Sequence, residues 1–499
     1  MPWNMRVLAV YIMVTFTSVQ GATNYSFPDD FMFGASTASY QIEGAWNDDG
    51  KGENIWDRLT HEHPEYMVDQ SNGDVAANSY LKYKEDVQLL KQIGVEFYRF
   101  SISWARILPT GHINKVNQAG IDYYNNLINE LLDNGIQPVV TIFHWDLPQT
   151  LQDLGGITNK FIVDIYVDYA RLLFATYGDR VKWWITFNEP QVFVTGYADS
   201  NGMAPSIGSA GIGDYLASHT ILLAHAKAYH MYNKEFRERQ QGKISITLNS
   251  RWYEPMSNSS EDAEAAERAL QFYLGLHAHP IFSKKGDYPE MVKKGVEERS
   301  LSEGFRKSRL PKFSKEEVDL IRGTYDFFGL NHYSAFLATP GYDGQTEPSL
   351  KKDAWVKRIV DKKWMKTAGK DRTVVPWAFR KLLKWIKDEY DNPPVIVTEN
   401  GVADNGDIND TLRVYFYTHY LNELLNAMYE DGCKVMGFFA WSLLDNFEWN
   451  SGYTERFGLF HVDYSDSNLK RTPKESAHLY AKIVKTKGIP QRYFSIVVQ

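Results

Sequence analysis

Eight short apolar runs, rich in β-branched and aromatic residues, recur along the 499-residue chain and set the limits on what it can fold into. They are "FMFGAST" from Phe31, "VEFYRFSISW" from Val95, "QPVVTIFHW" from Gln137, "VKWWITF" from Val181, "KISITLNS" from Lys243, "YDFFGLNHY" from Tyr325, "PVIVTE" from Pro394 and "VMGFFAWSL" from Val435. Most are separated by segments of helical periodicity, such as "SYLKYKEDVQLLKQIG", "GIDYYNNLINELLDNG" and "TLRVYFYTHYLNELLNAMYEDG". Near-continuous apolar strands alternating with amphipathic helices imply a parallel sheet covered by helices, and eight such units close into a barrel. The glycines of "LLDNG" before Ile136 and "YEDG" before Cys433 stand where a helix should turn into a strand. No Pro-, Gly- or Ser-rich linker divides the chain. The expected fold is therefore α/β: one (β/α)8 TIM barrel over residues 22–499, with long loop insertions at 45–76, 252–324 and 335–376.

The first residues carry one basic side chain, Arg6, an apolar run from Val7 to Phe16, and the small residues Val19 and Gly21 around Gln20. This reads as a secretory signal spanning residues 1–21 and removed on export; the run is too short to span a bilayer, a transmembrane start being the alternative. Three N-x-S/T sequons, at Asn24, Asn258 and Asn409, agree with a secreted glycoprotein. The lone cysteine, Cys433, excludes an intrachain disulfide, so stability must come from a large core. Cys433 itself reads as a buried structural thiol, with a catalytic role as the alternative. A net charge of -8 argues against a nucleic-acid or anionic-membrane partner. The expected partner is a small molecule, and the expected assembly a monomer or homodimer.

Several of the runs end in polar groups. Arg99 sits in the second, His144 ends the third, Asn188 and Glu189 the fourth, Asn249 the fifth, Asn331 and Tyr333 the sixth, and Glu399 and Asn400 the seventh. A single strand-end Asn or Glu often caps the following helix, but strands that all turn polar at one end describe a binding face. Glu189 and Glu399, on strands far apart around the ring, suit glycoside hydrolysis, in which one carboxyl protonates the leaving oxygen and the other attacks or activates water. His144 and Asp146 alternate on one strand and admit a metal-ligand reading. No second His joins them and the chemistry needs no Lewis acid, so no metal or other cofactor is expected.

These residues carry a resemblance. "TFNEP" ending at Pro190 and "VTENG" ending at Gly401 resemble the acid/base and nucleophile motifs of glycoside hydrolase family 1, the β-glucosidase family, in its secreted eukaryotic form. Supporting matches are "SYQIEGAW" from Ser39, "RFSISWARILP" from Arg99, "FHWDLPQ" from Phe143, "GLNHY" from Gly329 and "WSLLDNFEWNSGYTERFGLFHVDY" from Trp441. The resemblance implies a retaining double displacement with Glu399 as nucleophile and Glu189 as acid/base. Arg99 and Tyr333 would tune Glu399, and Glu189 would be raised to about 6. It also implies sugar contacts from Gln41, His144, Asn188, Trp441, Glu448 and Trp449. A carboxylate at Glu448 opposes a 6-phosphorylated sugar: like charges about 4 Å apart cost roughly 4 kcal/mol at an effective dielectric of 20, about a thousandfold in binding. An unphosphorylated β-glucoside is the expected substrate, with β-galactosides and β-fucosides as side substrates.

The match departs upstream of "VVPW", where many family members carry a tryptophan against the leaving group and this chain has Lys370, Asp371 and Arg372. Either that loop is simply solvated, or Asn249, Arg251, Lys370 and Arg372 form the aglycone side and take an anionic leaving group, as in a β-thioglucosidase of the myrosinase type. A non-catalytic sugar-binding relative is a third reading, and loss of either glutamate would favour it; both are present.

Overall fold

The computed structural model describes residues 23–342 and 348–498. The expected signal segment, residues 1–21, lies outside the described residues. The apolar runs form β1 (Met32–Ser36), β2 (Phe97–Ser101), β3 (Gln137–Phe143), β4 (Trp183–Asn188), β5 (Lys243–Asn249), β6 (Phe328–His332), β7 (Val395–Asn400) and β8 (Val435–Trp441). Each pairs in parallel with its sequence neighbours and β8 returns to β1, closing the ring. The strands are shorter than the runs because the apolar residues continue into the turns; Trp104, for example, already begins a short helix. Long helices follow most strands, among them α1 (Ser79–Ile93), α2 (Gln118–Asp133), α3 (Ile162–Tyr177), α4 (Gly213–Glu235), α5 (Pro376–Glu389), α6 (Thr411–Tyr429) and α7 (Glu475–Thr486). Gly135 and Gly432 take the left-handed conformation, φ 74° and 67°, at the expected helix-to-strand turns. The two insertions flanking β6 supply a three-stranded sheet of Trp252–Pro255, Ala335–Pro340 and Val356–Ile359.

Inside the ring, Met32, Val139, Ile185, Phe327, Ile396 and Phe439 pack into one apolar layer. They come from β1, β3, β4, β7 and β8 and the residue before β6, so this layer fills the barrel and leaves no pore. Polar residues occupy the C-terminal ends above it.

Strict alternation would not aim the strand ends correctly. In β4 Ile185 joins the interior layer, Phe187 stacks outward on Tyr166 of α3 with ring centroids 4.3 Å apart, and Asn188 points inward again. The pairing of β4 with β5 slips between Ile185 and Asn188, and that of β7 with β6 between Val397 and Glu399. Such bulges re-aim side chains, and here they turn the two polar ends into the barrel mouth.

Gly401 follows β7 where a Cβ would lie 1.9 Å from the Trp441 carbonyl oxygen, a backbone atom of β8. Gly401→Ala must push the chain after β7 away from β8 just beyond Glu399, and we expect a loss of about 1–3 kcal/mol. Denaturant unfolding checks this; an unchanged midpoint would contradict the packing described.

Candidate active site

Arg99, fully buried on β2, organises the mouth. It donates through Nη1 to Glu399 Oε1 at 2.6 Å and to the Thr398 carbonyl at 3.2 Å, through Nη2 to Asn188 Oδ1 at 2.7 Å, and through Nε to Thr141 Oγ1 at 3.1 Å. The other Glu399 oxygen accepts from the Tyr333 hydroxyl at 2.6 Å. A cation on one carboxylate oxygen and a phenol on the other stabilise the anion.

Glu189 leaves β4 with φ 45° and ψ 62°, a left-handed conformation that costs about 1–3 kcal/mol outside glycine and is disfavoured again by the following Pro190. The strand thus ends on a strained turn that carries the carboxyl. Its Oε1 accepts from Asn331 Nδ2 at 2.6 Å and Asn249 Nδ2 at 3.1 Å. Strand register explains the grouping, since Asn249 of β5 pairs with Asn331 of β6, and Asn331 with Glu399 of β7. Burial, then the negative charge of Glu399, push Glu189 up to about 8 against the lowering effect of Asn331, Asn249 and Arg99. This exceeds the expected value of about 6 because the carboxyl is almost wholly desolvated as well as beside a like charge. Glu189 is therefore mostly protonated at neutral pH while its neighbour is paired with a cation.

The remaining polar groups line the same mouth. Asn188 Nδ2 donates to His144 Nε2 at 3.0 Å. Burial, and secondarily Arg99, hold His144 well below its ordinary value, so the ring is neutral and its proton belongs on Nδ1. That nitrogen is buried and has no partner among the described residues. Gln41 Nε2 donates to the Phe447 carbonyl at 2.9 Å and to Glu448 Oε2 at 3.1 Å, leaving its buried Oε1 unpartnered. Trp441 and Trp449 stack on His144 with centroids 6.1 and 6.0 Å away, and Trp449 also packs on Trp56 and Trp145. A donor, an acceptor and indole faces thus meet in one buried space, the set a hydroxylated ring needs.

Beside Asn249 opens a cavity of about 770 Å³ whose walls include Arg251, Tyr253, Phe336 and Lys370. Arg251 lies over the Phe336 ring at 4.6 Å and donates to the Asp371 carbonyl at 3.3 Å. No carboxylate stands within 4.0 Å of its guanidinium among the described residues. Lys370 is exposed at the rim. Arg372 departs from its expected place: it is not in this wall but reaches Glu455 at 3.2 Å and Glu448 at 3.9 Å. Two carboxylates on its other side outbid the open cavity.

His144 and Asp146 do not converge on a shared point of coordination. His144 Nε2 is used by Asn188, and Asp146 accepts from Ser39 Oγ at 2.8 Å. No group of three or more His, Cys, Asp or Glu is placed to hold a metal among the described residues. Asn331, legible in the sequence only as a polar strand end, proves to be a donor to Glu189, and Glu455, the anchor of Arg372, escapes sequence reasoning. Glu455 lies within the quoted stretch from Trp441 to Tyr464, but nothing in its spacing points to Arg372. Cys433 is buried and pushed up to about 11, chiefly by burial, as suits a structural thiol.

The model of Glycosyl hydrolase family 1 matches residues 23–489. Myrosinase 1 of Brevicoryne brassicae is 51% identical over 465 residues, which cover 93% of this chain and 99% of that protein. Cytosolic beta-glucosidase of Homo sapiens is 44% identical over 467 residues, again covering 93% and 99%. A solved aphid myrosinase superposes with a TM-score of 0.90 at 51% identity and covers 93% of this chain and all of its own. With an eight-stranded parallel barrel, a carboxyl pair at its mouth and a family match over nearly its whole length, the chain belongs to glycosyl hydrolase family 1 and is a glycosidase.

Proposed function

We propose that the protein is a retaining β-glucosidase that removes terminal β-D-glucosyl residues from unphosphorylated β-glucosides. The observation that carries this reading is the unequal pair at the barrel mouth: Glu399 held by Arg99 and Tyr333, and Glu189 pushed up to about 8. Glu399 attacks the anomeric carbon as the bond to the aglycone oxygen breaks, and Glu189 gives that oxygen its proton. The ester so formed removes the Glu399 charge, one of the two causes that raise Glu189. Glu189 then falls and becomes the base that takes a proton from the attacking water. Hydrolysis of the ester restores Glu399 and releases glucose with its original configuration.

Glu448 enters this reading with a modification. Burial pushes it up to about 7, and Arg372 stands beside it, so the repulsion of a 6-phosphate is weaker than for a fully ionised carboxylate. The unphosphorylated substrate is still favoured by the nearby Glu455, which sets two acidic groups against one arginine.

A second reading, a β-thioglucosidase acting on an anionic aglycone, is favoured by Arg251. An arginine half-buried in the cavity next to Glu189, bonded among the described residues to a backbone carbonyl and set over an aromatic face, is matched to an anion. The relatives named myrosinase lend weight to it. We also propose that residues 1–21 are removed on secretion. The exposure of Asn24, Asn258 and Asn409 suits glycan attachment.

Glu399→Gln should lower kcat on an aryl β-glucoside by at least about a thousandfold. It should also lower the Glu189 pKa, read by carboxyl-carbon NMR titration, because a charge that raises it is gone. An active Glu399→Gln variant would contradict the mechanism. Glu189→Ala should lose most activity on aglycones that leave poorly, and added azide should restore turnover with formation of β-glucosyl azide; an α-azide would exclude a retaining path. Arg251→Gln should raise KM for a glucosinolate about tenfold while leaving a neutral aryl glucoside unaffected if the second reading holds.

A further inference from the structure

Arg372 lies outside the reacting carboxyl pair, yet its surroundings are built. It sits in the short loop between Lys366 and Thr373, with its side chain about one-third exposed. The loop is tied by Thr367 Oγ1, which donates to the Arg372 carbonyl at 3.2 Å and accepts from the Gly369 amide at 3.1 Å. Arg372 Nη1 donates to Glu455 Oε2 at 3.2 Å, and Ser451 Oγ donates to the other Glu455 oxygen at 2.9 Å. Its guanidinium lies over the Phe457 ring at 5.2 Å and the Tyr333 ring at 5.8 Å. Gly369 leaves room for the pair, since a Cβ there would stand 2.9 Å from Glu455 Oε2 and 3.0 Å from Arg372 Cδ. Nη2 then faces Glu448 Oε1 at 3.9 Å, too long for a hydrogen bond and short enough for a strong field in a buried place.

We propose that Arg372 is a positioning residue for sugar binding: anchored by Glu455 and stacked over Tyr333 and Phe457, it holds Glu448 as a hydrogen-bond acceptor at the sugar end of the cleft. The inference rests on the reading of Glu448 as a sugar contact. Geometry gives Glu448 two neutral donors on Oε2, Gln41 and Asn446, at 3.1 and 3.3 Å, and leaves Oε1 facing the arginine. The charged and titratable groups around it are Arg372, Glu455, Glu399 and the Tyr333 hydroxyl. Of these Arg372 alone favours the carboxylate; burial, Glu455 and Glu399 oppose it. An acceptor carboxylate binds the hydroxyls of a sugar more strongly than a neutral acid does. The same loop offers its Asp371 carbonyl to Arg251, so one short segment touches both the sugar wall and the neighbouring cavity.

The test is steady-state kinetics on an aryl β-glucoside between pH 5 and 9 for wild type, Arg372→Met, Arg372→Lys and Glu448→Ala. Arg372→Met should raise KM at pH 7 about tenfold with kcat changed less than about threefold, because the residue acts on binding. Its KM should recover only at higher pH, because without the cation Glu448 ionises later. Arg372→Lys keeps the charge and should restore most of the wild-type KM and its pH dependence. Arg372→Gln, which keeps hydrogen-bonding capacity without charge, replaces the methionine variant if that protein melts early, and carries the same expectation. If Glu448→Ala raises KM while the neutral Arg372 variants match wild type, the positioning role is overturned and the sugar contact stands. If Glu448→Ala leaves KM unchanged, the reading of Glu448 itself fails.

Discussion

The buried guanidinium of Arg99 is the interaction on which the working end of this barrel depends. A charge with no exposed surface is tolerable only when its hydrogen-bonding capacity is met, and here the partners come from β3, β4 and β7 at once. Ring closure is what brings them together; no local segment of the chain could supply them. The arrangement also sets the two carboxyls apart, because the cation that satisfies Glu399 and Asn188 leaves Glu189, among the described residues, with neutral amide donors. Two chemically identical side chains thus meet different surroundings, and burial with the Glu399 charge raises Glu189.

The cost of that arrangement is visible in the backbone. Glu189, Trp145 and Trp449 all adopt left-handed conformations, φ 45°, 73° and 51°, although none is glycine. All three lie at the barrel mouth, and the two tryptophans pack on one another with centroids 4.6 Å apart. Strain is sustained where surrounding contacts over-determine it, and here aromatic packing and the Arg99 network do so.

Much of this is legible in the sequence, and the limit has a physical origin. Strands buried on both faces must be apolar throughout, so the eight runs announce the barrel, and a carboxylate at the end of such a run stands out. Glu189 and Glu399 are legible as a candidate pair for that reason, while which attacks and which gives a proton comes from the family resemblance. Bulges in β4 and β7 are not, because each depends on how a strand pairs with its neighbour. The partnership of Arg372 with Glu455 spans 83 positions and follows no periodicity, so an arginine that reads as part of the aglycone wall turns toward Glu455 and Glu448 instead. Burial is similarly invisible: it lifts Glu189 and Glu448 further than their neighbours' charges alone would suggest.

Double displacement passes through a covalent bond between sugar and Glu399 during turnover. A 2-deoxy-2-fluoro-β-glucosyl fluoride slows breakdown of that intermediate, since its electronegative fluorine destabilises the second transition state while fluoride leaves readily in the first step. Mass spectrometry of the inactivated protein should find one fluoroglucosyl group, carried by the peptide that contains Glu399. A label on any other residue, or uninhibited activity with no label at all, would contradict the central claim.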